Sequence, residues 1–198
     1  MKYKLLRNIS TVTCLILVLF SCSDRTKQQN NRTPNSQVIL ETQDWKSELV
    51  ETLKLFGHRN WIVVADGAYP KQSNPAIKTI TIAESQLEVV RFVNQYIEKS
   101  VHVDANIFID KEMEFVPEKD ANGIDAYSAE LHELLAGKPV KKKLHEDIIG
   151  ALDESAKLFN VLIIKTDLTI PYTSVFFQLE CGYWNATAEE KLRRNIPN

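Results

Sequence analysis

The residues able to move protons are few. The histidines are His58, His102, His132 and His145, and an imidazole with an ordinary pKa of about 6.5 both gives and takes protons near neutrality. Their spacing fits no standard zinc pattern, and the chain has no paired-cysteine metal motif, glycine-rich phosphate loop or GxSxG elbow, so no metal site is expected. His58 stands in an ordered run of types. Phe56-Gly57-His58-Arg59-Asn60 leads into the apolar Trp61-Ile62-Val63-Val64-Ala65, and Asp66-Gly67-Ala68-Tyr69-Pro70 closes it. A second polar group lies near the C-terminus, Lys165-Thr166-Asp167-Leu168-Thr169-Ile170-Pro171-Tyr172-Thr173-Ser174, followed by the apolar Val175-Phe176-Phe177. Each residue also has a plainer use. His58 suits the end of a helix as a cation favoured by its dipole, Asp66 before glycine suits a turn, and Tyr172 after proline suits a core.

The cysteines carry different chemistry. Lys2, Lys4 and Arg7 form a positively charged start, and Ile9–Phe20 is almost wholly apolar. That run has the length of a signal-peptide core and falls short of the roughly 20 apolar residues a bilayer span takes. It ends in Leu19-Phe20-Ser21-Cys22, which resembles a lipobox, with a small residue before the cut and a thiol after it to take a diacylglyceryl group. Residues 1–21 therefore read as a lipoprotein signal peptide, and Cys22 as the lipidated first residue of the mature chain. Residues 22–40 read as a flexible tether, since the stretch after Cys22 has almost no large apolar side chains to offset its ordering entropy. The expected location is the bacterial cell envelope on the periplasmic side. Ser23 after the acylated cysteine favours the outer membrane. Cys14 leaves with the signal and Cys22 is acylated, so Cys181 is alone, no internal disulfide is expected, and Cys181 reads as a buried inert thiol.

With the signal and tether removed, about 155 residues remain, enough for one domain with a full core. Removing Lys2, Lys4 and Arg7 leaves 21 basic against 26 acidic residues, a net charge of −5. Nucleic acid, which wants a basic face, is excluded as a partner; the run Lys141-Lys142-Lys143 reads as a solvated turn.

These residues need elements to hold them. Trp45, Leu49, Leu53 and Phe56, at spacings of four, four and three, share one face of a helix over 41–56, with Gly57 at its C-terminal cap. Trp61–Ala65, Ile77–Ile82, His102–Asp110, Val161–Ile164 and Thr173–Leu179 read as strands. Ser85 starts a helix with Leu87, Val90, Val93, Tyr96 and Ile97 on one face; Tyr127–Ala136 and Glu146–Phe159 are further helices. Alternating helices and strands predict an α/β fold, a central mostly buried sheet flanked by helices.

The run Gly57-His58, apolar strand, Asp66 and small-residue turn to Pro70, with the later Thr166, turn and Tyr172-Thr173-Ser174, resembles the ribose pyranase and fucose mutarotase family (RbsD/FucU) over residues 41–182. The resemblance implies a single RbsD-like domain over 41–198 and a sugar isomerase that interconverts anomers or pyranose and furanose forms. It implies His58 as the catalytic acid/base, and Asp66, Tyr172 and Ser174 as sugar-binding residues. Ser174 stands where the family has asparagine, so a hydroxyl replaces a longer amide. A further sugar-binding residue comes from upstream of the last strands, where His145 is the best match, although its spacing to Tyr172 is longer than the family's. The implied reaction needs no cofactor, and its partner is a monosaccharide. The alternative is a non-catalytic carbohydrate-binding lipoprotein, for which Ser174 is the sign. A structural envelope lipoprotein fits the clustered polar residues less well.

His58 and Asp66 lie eight positions apart across an apolar strand, a span of up to about 26 Å at roughly 3.3 Å per residue. A monosaccharide is far smaller. Either the flanking loops fold back or one site draws on two subunits, and the resemblance favours a homo-oligomer, with His145 the expected residue from the neighbour.

Overall fold

Residues 35–197 are described in the computed structural model of the chain; the signal peptide, Cys22 and the segment to 34 lie outside the described residues. The short apolar runs form strands because they bury both faces. Trp61–Ala65 (β1) and Val161–Lys165 (β5) are buried almost throughout, and a helix would leave part of such a run facing water. Ile77–Thr81 (β2), Val103–Asp110 (β3), Val140–Lys143 (β4) and Val175–Cys181 (β6) complete a six-stranded sheet in the order β2-β5-β1-β6-β3-β4. β5 pairs in parallel with β2 and β1, β3 pairs in parallel with β4, and β6 runs antiparallel between β1 and β3. Five strands therefore point one way and β6 points back.

Alternate residues of these strands feed two cores. On one face Ile62, Val64, Ile107, Ile109, Leu162, Ile164, Val175 and Phe177 meet Asn35–Leu55 (α1), Gln86–Lys99 (α2) and Ile124–Leu134 (α3). On the other, Trp61, Val63, Phe108, Ile163 and Phe176 meet Ile148 and Leu152 of His145–Ser155 (α4). Trp45, Leu49 and Leu53 of α1 are buried as their spacing requires. Burying each such large side chain contributes about 1.5–3 kcal/mol, which is how an α/β domain with one free thiol, the half-buried Cys181, holds together.

Four local readings need correction. α1 begins at Asn35, inside the segment read as tether. The chain reversal after α1 places Arg59, at φ 75°, in the left-handed region rather than Gly57; the Gly57 N–H instead donates to Asn60 Oδ1 at 2.9 Å, closing the turn through a side chain. The run Lys141–Lys143 is an edge strand, β4, not a turn, and its charges keep the open edge from pairing with another chain. A terminal helix, Ala186–Asn195 (α5), escaped the periodicity because none of its residues is buried; Asn185 caps it by accepting from the Ala188 N–H at 2.9 Å. No helix among the described residues is long and apolar enough to cross a membrane.

Candidate active site

Because β1, β3, β4 and β5 are parallel in direction, whatever follows each of them arrives at the same edge of the sheet, and whatever precedes the antiparallel β6 arrives there too. Asp66 follows β1, Asp110 closes β3, His145 follows β4 and opens α4, and Thr166 follows β5. Tyr172, Thr173 and Ser174 lead into β6. This carboxyl edge is where open α/β sheets take their ligands.

Register brings the polar groups into line. Val175 lies opposite Ile109 on β3 and opposite Val64 on β1, so one step further Ser174 stands level with Asp110 and with Ala65, next to Asp66. Ser174, only 1% exposed, directs its Oγ–H at Asp66 Oδ2 across 3.4 Å. Asp66 Oδ1 accepts from the Ala68 N–H at 2.8 Å, which fixes the carboxylate in its own turn. The His145 ring lies 5.9 Å from Tyr172 and 6.4 Å from Phe176, edge-on to both. Tyr172 is 40% exposed and held at φ 58°, a left-handed conformation that costs a residue with a Cβ roughly 1–2 kcal/mol. Strain of this kind persists where the surroundings over-determine it.

The surroundings are a buried polar network on the opposite face of the same edge. Gln86 at the start of α2 donates from Nε2 to the Thr173 carbonyl at 2.6 Å and to Tyr127 Oη at 2.9 Å. Tyr127 in α3 donates in turn to the Thr173 carbonyl at 2.9 Å. Thr166 Oγ lies 2.9 Å from Gln86 Oε1 and 3.1 Å from the Ala65 carbonyl, the two acceptors open to its hydroxyl. Burial pushes the Tyr127 phenol well above its ordinary range, so it stays a neutral donor. Gly67 completes the bracing: its N–H donates to the Leu168 carbonyl at 2.7 Å, and a Cβ there would meet that oxygen at 3.2 Å.

His145 is gripped twice. Its backbone N–H donates to both oxygens of Glu112 at 3.0 Å, supplying the α4 start that Leu144 cannot cap. Its Nδ1 lies 3.1 Å from Asp110 Oδ2. The hydrogen bond that His145 Nδ1–H donates to Asp110 raises the His145 pKa, desolvation opposes it, and the Asp110 charge adds to the rise; burial raises the pKa of Asp110, with the imidazole pulling the other way. Among the described residues no group of three His, Cys, Asp or Glu is placed to hold a metal.

Four of the five expected site residues, Asp66, His145, Tyr172 and Ser174, thus come together. His58 does not. It lies exposed before β1, at the other edge of the sheet, where Arg59 N–H donates to the Leu179 carbonyl at the far end of β6. The member set apart is therefore His58 and not His145, because α4 starts directly over the carboxyl edge. Nor does His58 serve the helix end: His102 Nε2 lies 2.9 Å from the Leu53 carbonyl in the last turn of α1. Sequence reasoning missed Asp110, Gln86 and Tyr127, and named Thr166 in the second motif without giving it a role. Asp110 carried a readable signal, a carboxylate closing the apolar run Ile107-Phe108-Ile109 as Asp66 closes β1.

Residues 42–182 match the model of the RbsD / FucU transport protein family, well over half of the chain. The chain belongs to this family. No curated protein sequence matches it. Similar solved structures include RbsD of Bacillus subtilis complexed with D-ribose, at 17% identity and TM-score 0.49, covering 68% of this chain and 92% of that one. The fucose mutarotase of Streptococcus pneumoniae in complex with L-fucose is 22% identical at TM-score 0.47, covering 67% and 91%. FucU of Bifidobacterium longum is 17% identical at TM-score 0.47, covering 68% and 94%. Membership rests on the family model and not on these overlays. In an RbsD/FucU chain the carboxyl-edge cluster is the natural candidate for the sugar site, and the carboxylate, phenol, hydroxyl and imidazole gathered there are the groups a polyol needs.

Proposed function

We propose that this RbsD/FucU protein is a monosaccharide mutarotase or pyranase, tethered to the cell envelope through a lipid on Cys22 and acting without a cofactor. The observation that carries the reading is the gathering of Asp66, His145, Tyr172 and Ser174 at one edge of the sheet in a chain of this family. A carboxylate grips neighbouring hydroxyls, and a phenol offers a flat apolar face with a polar tip. The reaction opens a hemiacetal. A base takes the proton of the anomeric hydroxyl, the bond between the anomeric carbon and the ring oxygen breaks, and an acid protonates that oxygen. The open aldehyde turns and closes by the same steps in reverse, so no proton is gained or lost.

His58 is the acid/base in this reading, and it reaches the sugar from a second copy of the chain. His58 and Asp66 stand at opposite ends of β1, whose five residues alone span roughly 16 Å at about 3.3 Å per residue, longer than a monosaccharide. A head-to-tail assembly presents the His58 edge of one subunit to the carboxyl edge of the next, a heterologous contact that closes into a ring when the rotation allows.

Saturation-transfer exchange NMR on the mature protein tests the activity, with D-ribose and L-fucose as the first sugars. Accelerated exchange between anomers or ring forms supports the isomerase. Saturation transfer from protein to sugar with no acceleration assigns the pocket to binding alone, the reading that the short Ser174 side chain favours. Neither effect on any aldose overturns both.

A further inference from the structure

We infer that Asp110 is a positioning residue for His145: it sets the ring orientation and the Nδ1–H tautomer, so that Nε2 is the atom His145 offers to a ligand. The identity of that ligand as a sugar rests on the function proposed above; the state of the ring does not.

The argument begins with a carboxylate in an unusual place. Asp110 is fully buried, at 0% exposure, and closes a strand whose preceding residues are apolar. Its Oδ2 has one side-chain partner, His145 Nδ1, and its Oδ1 is buried with none. A buried carboxyl with a single partner has little structural use, since replacing it by an apolar residue would remove the unsatisfied oxygen altogether. Parity along β3 points Asp110, like Phe108, to the α4 face, so the carboxylate lies directly under the first residue of α4. An ionised carboxylate only accepts, so Nδ1 must carry the proton and Nε2 must be bare in the neutral ring.

The rest of the His145 environment narrows its freedom. Glu112 holds the backbone N–H with both oxygens, independently of the ring. Tyr172 and Phe176 flank the ring edge-on. With Nδ1 engaged, Nε2 is the ring atom left to a partner, and the side chain is 28% exposed, enough to meet one. The other charged groups bearing on the pair are Glu112, Glu146 and Asp66, all carboxylates. They favour the imidazolium but cannot choose between the two neutral tautomers. Only the contact with Asp110 does that.

Ring nitrogen NMR of the mature protein, labelled on histidine, decides the point in Asp110→Asn, Asp110→Glu and the unaltered chain. Above the titration midpoint, the expected result is a neutral His145 with its proton on Nδ1 in the unaltered chain. In Asp110→Asn, proton density moves to Nε2 and the midpoint of titration falls; in Asp110→Glu, which keeps the charge, the preference is partly restored. Sugar exchange in Asp110→Asn should fall at least about tenfold, short of the roughly 10⁴ lost where an analogous carboxylate orients a sole base, mainly in kcat rather than KM. A proton on Nε2 in the unaltered chain, or an Asp110→Asn ring with unchanged tautomer and midpoint, overturns the assignment. Should Asp110→Asn not fold, the unaltered chain and Asp110→Glu still decide it. Ring behaviour as expected with no exchange on any sugar refutes the proposed activity and leaves the role of Asp110 standing.

Discussion

Replacing Gln86 by methionine tests whether the buried polar network holds the site edge in place. The amide makes three hydrogen bonds, to the Thr173 carbonyl, Tyr127 Oη and Thr166 Oγ. Each lost bond between neutral groups costs a net 0.5–1.5 kcal/mol or so. No partner is orphaned, which limits the damage. The Thr173 carbonyl keeps Tyr127 Oη, Tyr127 keeps the carbonyl as acceptor, and Thr166 Oγ keeps the Ala65 carbonyl. Methionine matches glutamine in length and volume and adapts to its surroundings, so cavity and clash terms are small. The expected loss is therefore about 2–3 kcal/mol, from three bonds at roughly 1 each. For a domain of this size 1 kcal/mol is about 2–4 °C, giving a melting point lower by roughly 4–12 °C. Calorimetry and urea unfolding measure it, and an unchanged m-value would show that the unfolded state is not involved. Because the network ties the ends of β1 and β5 to the residue between Tyr172 and Ser174, sugar exchange should fall too, with KM rising. A melting point within 1 °C or so of the unaltered protein would refute the view that these bonds carry the edge.

Thr166→Val should cost about 2 kcal/mol or more for the loss of one oxygen, since Gln86 Oε1 then loses its buried partner; a loss under about 1 kcal/mol with unchanged exchange would count against it. His58→Ala should cut sugar exchange by about 10²–10⁴ and leave the melting point unchanged, because the residue is exposed. Mixed with inactive His145→Ala and allowed to exchange subunits, it should regain activity, and a fully active monomer in light scattering would end the shared site. Asp110 raises the His145 pKa in the folded state, so the stabilisation is fully present below about pH 6.5 and lost as pH rises through the raised value. Burial, which raises the Asp110 pKa, acts in the same direction. Unfolding at several pH values should show the unaltered protein losing stability relative to Asp110→Asn as pH rises, and a constant or growing advantage would contradict the pairing. Cys22→Ala should abolish acylation, and an acylated, membrane-bound mature protein from that variant would sink the lipoprotein reading.

Much of the fold was legible because burial leaves a period in the sequence. Trp45, Leu49 and Leu53 mark the inner face of α1, and the unbroken apolar runs of β1 and β5 mark strands covered on both sides. Local conformation was less legible. The left-handed residue after α1 is Arg59, held by its N–H on the Leu179 carbonyl 120 residues away in sequence, and nothing in the neighbourhood of Arg59 announces that. β4 read as a turn because an edge strand need not be apolar, and α5 was silent because it buries nothing.

By itself the sequence determined the types available for chemistry, the apolar strand that keeps His58 and Asp66 apart, and the order of elements that makes an α/β sheet. Composition and periodicity could not decide which polar residues share a site, and the motif resemblance that grouped Asp66, His145, Tyr172 and Ser174 left out Asp110 and included the distant His58. Sharing a site depends on strand direction: four residues at the ends of parallel strands, Asp66, Asp110, His145 and Thr166, and one stretch before an antiparallel strand reach the same edge, although they are spread from Asp66 to Ser174. Tertiary structure alone gave His145 its buried partner, Asp110. Of the four histidines only this one is set over a buried carboxylate, and that contact comes from the register of β3 against β4 and β6, which no local pattern encodes.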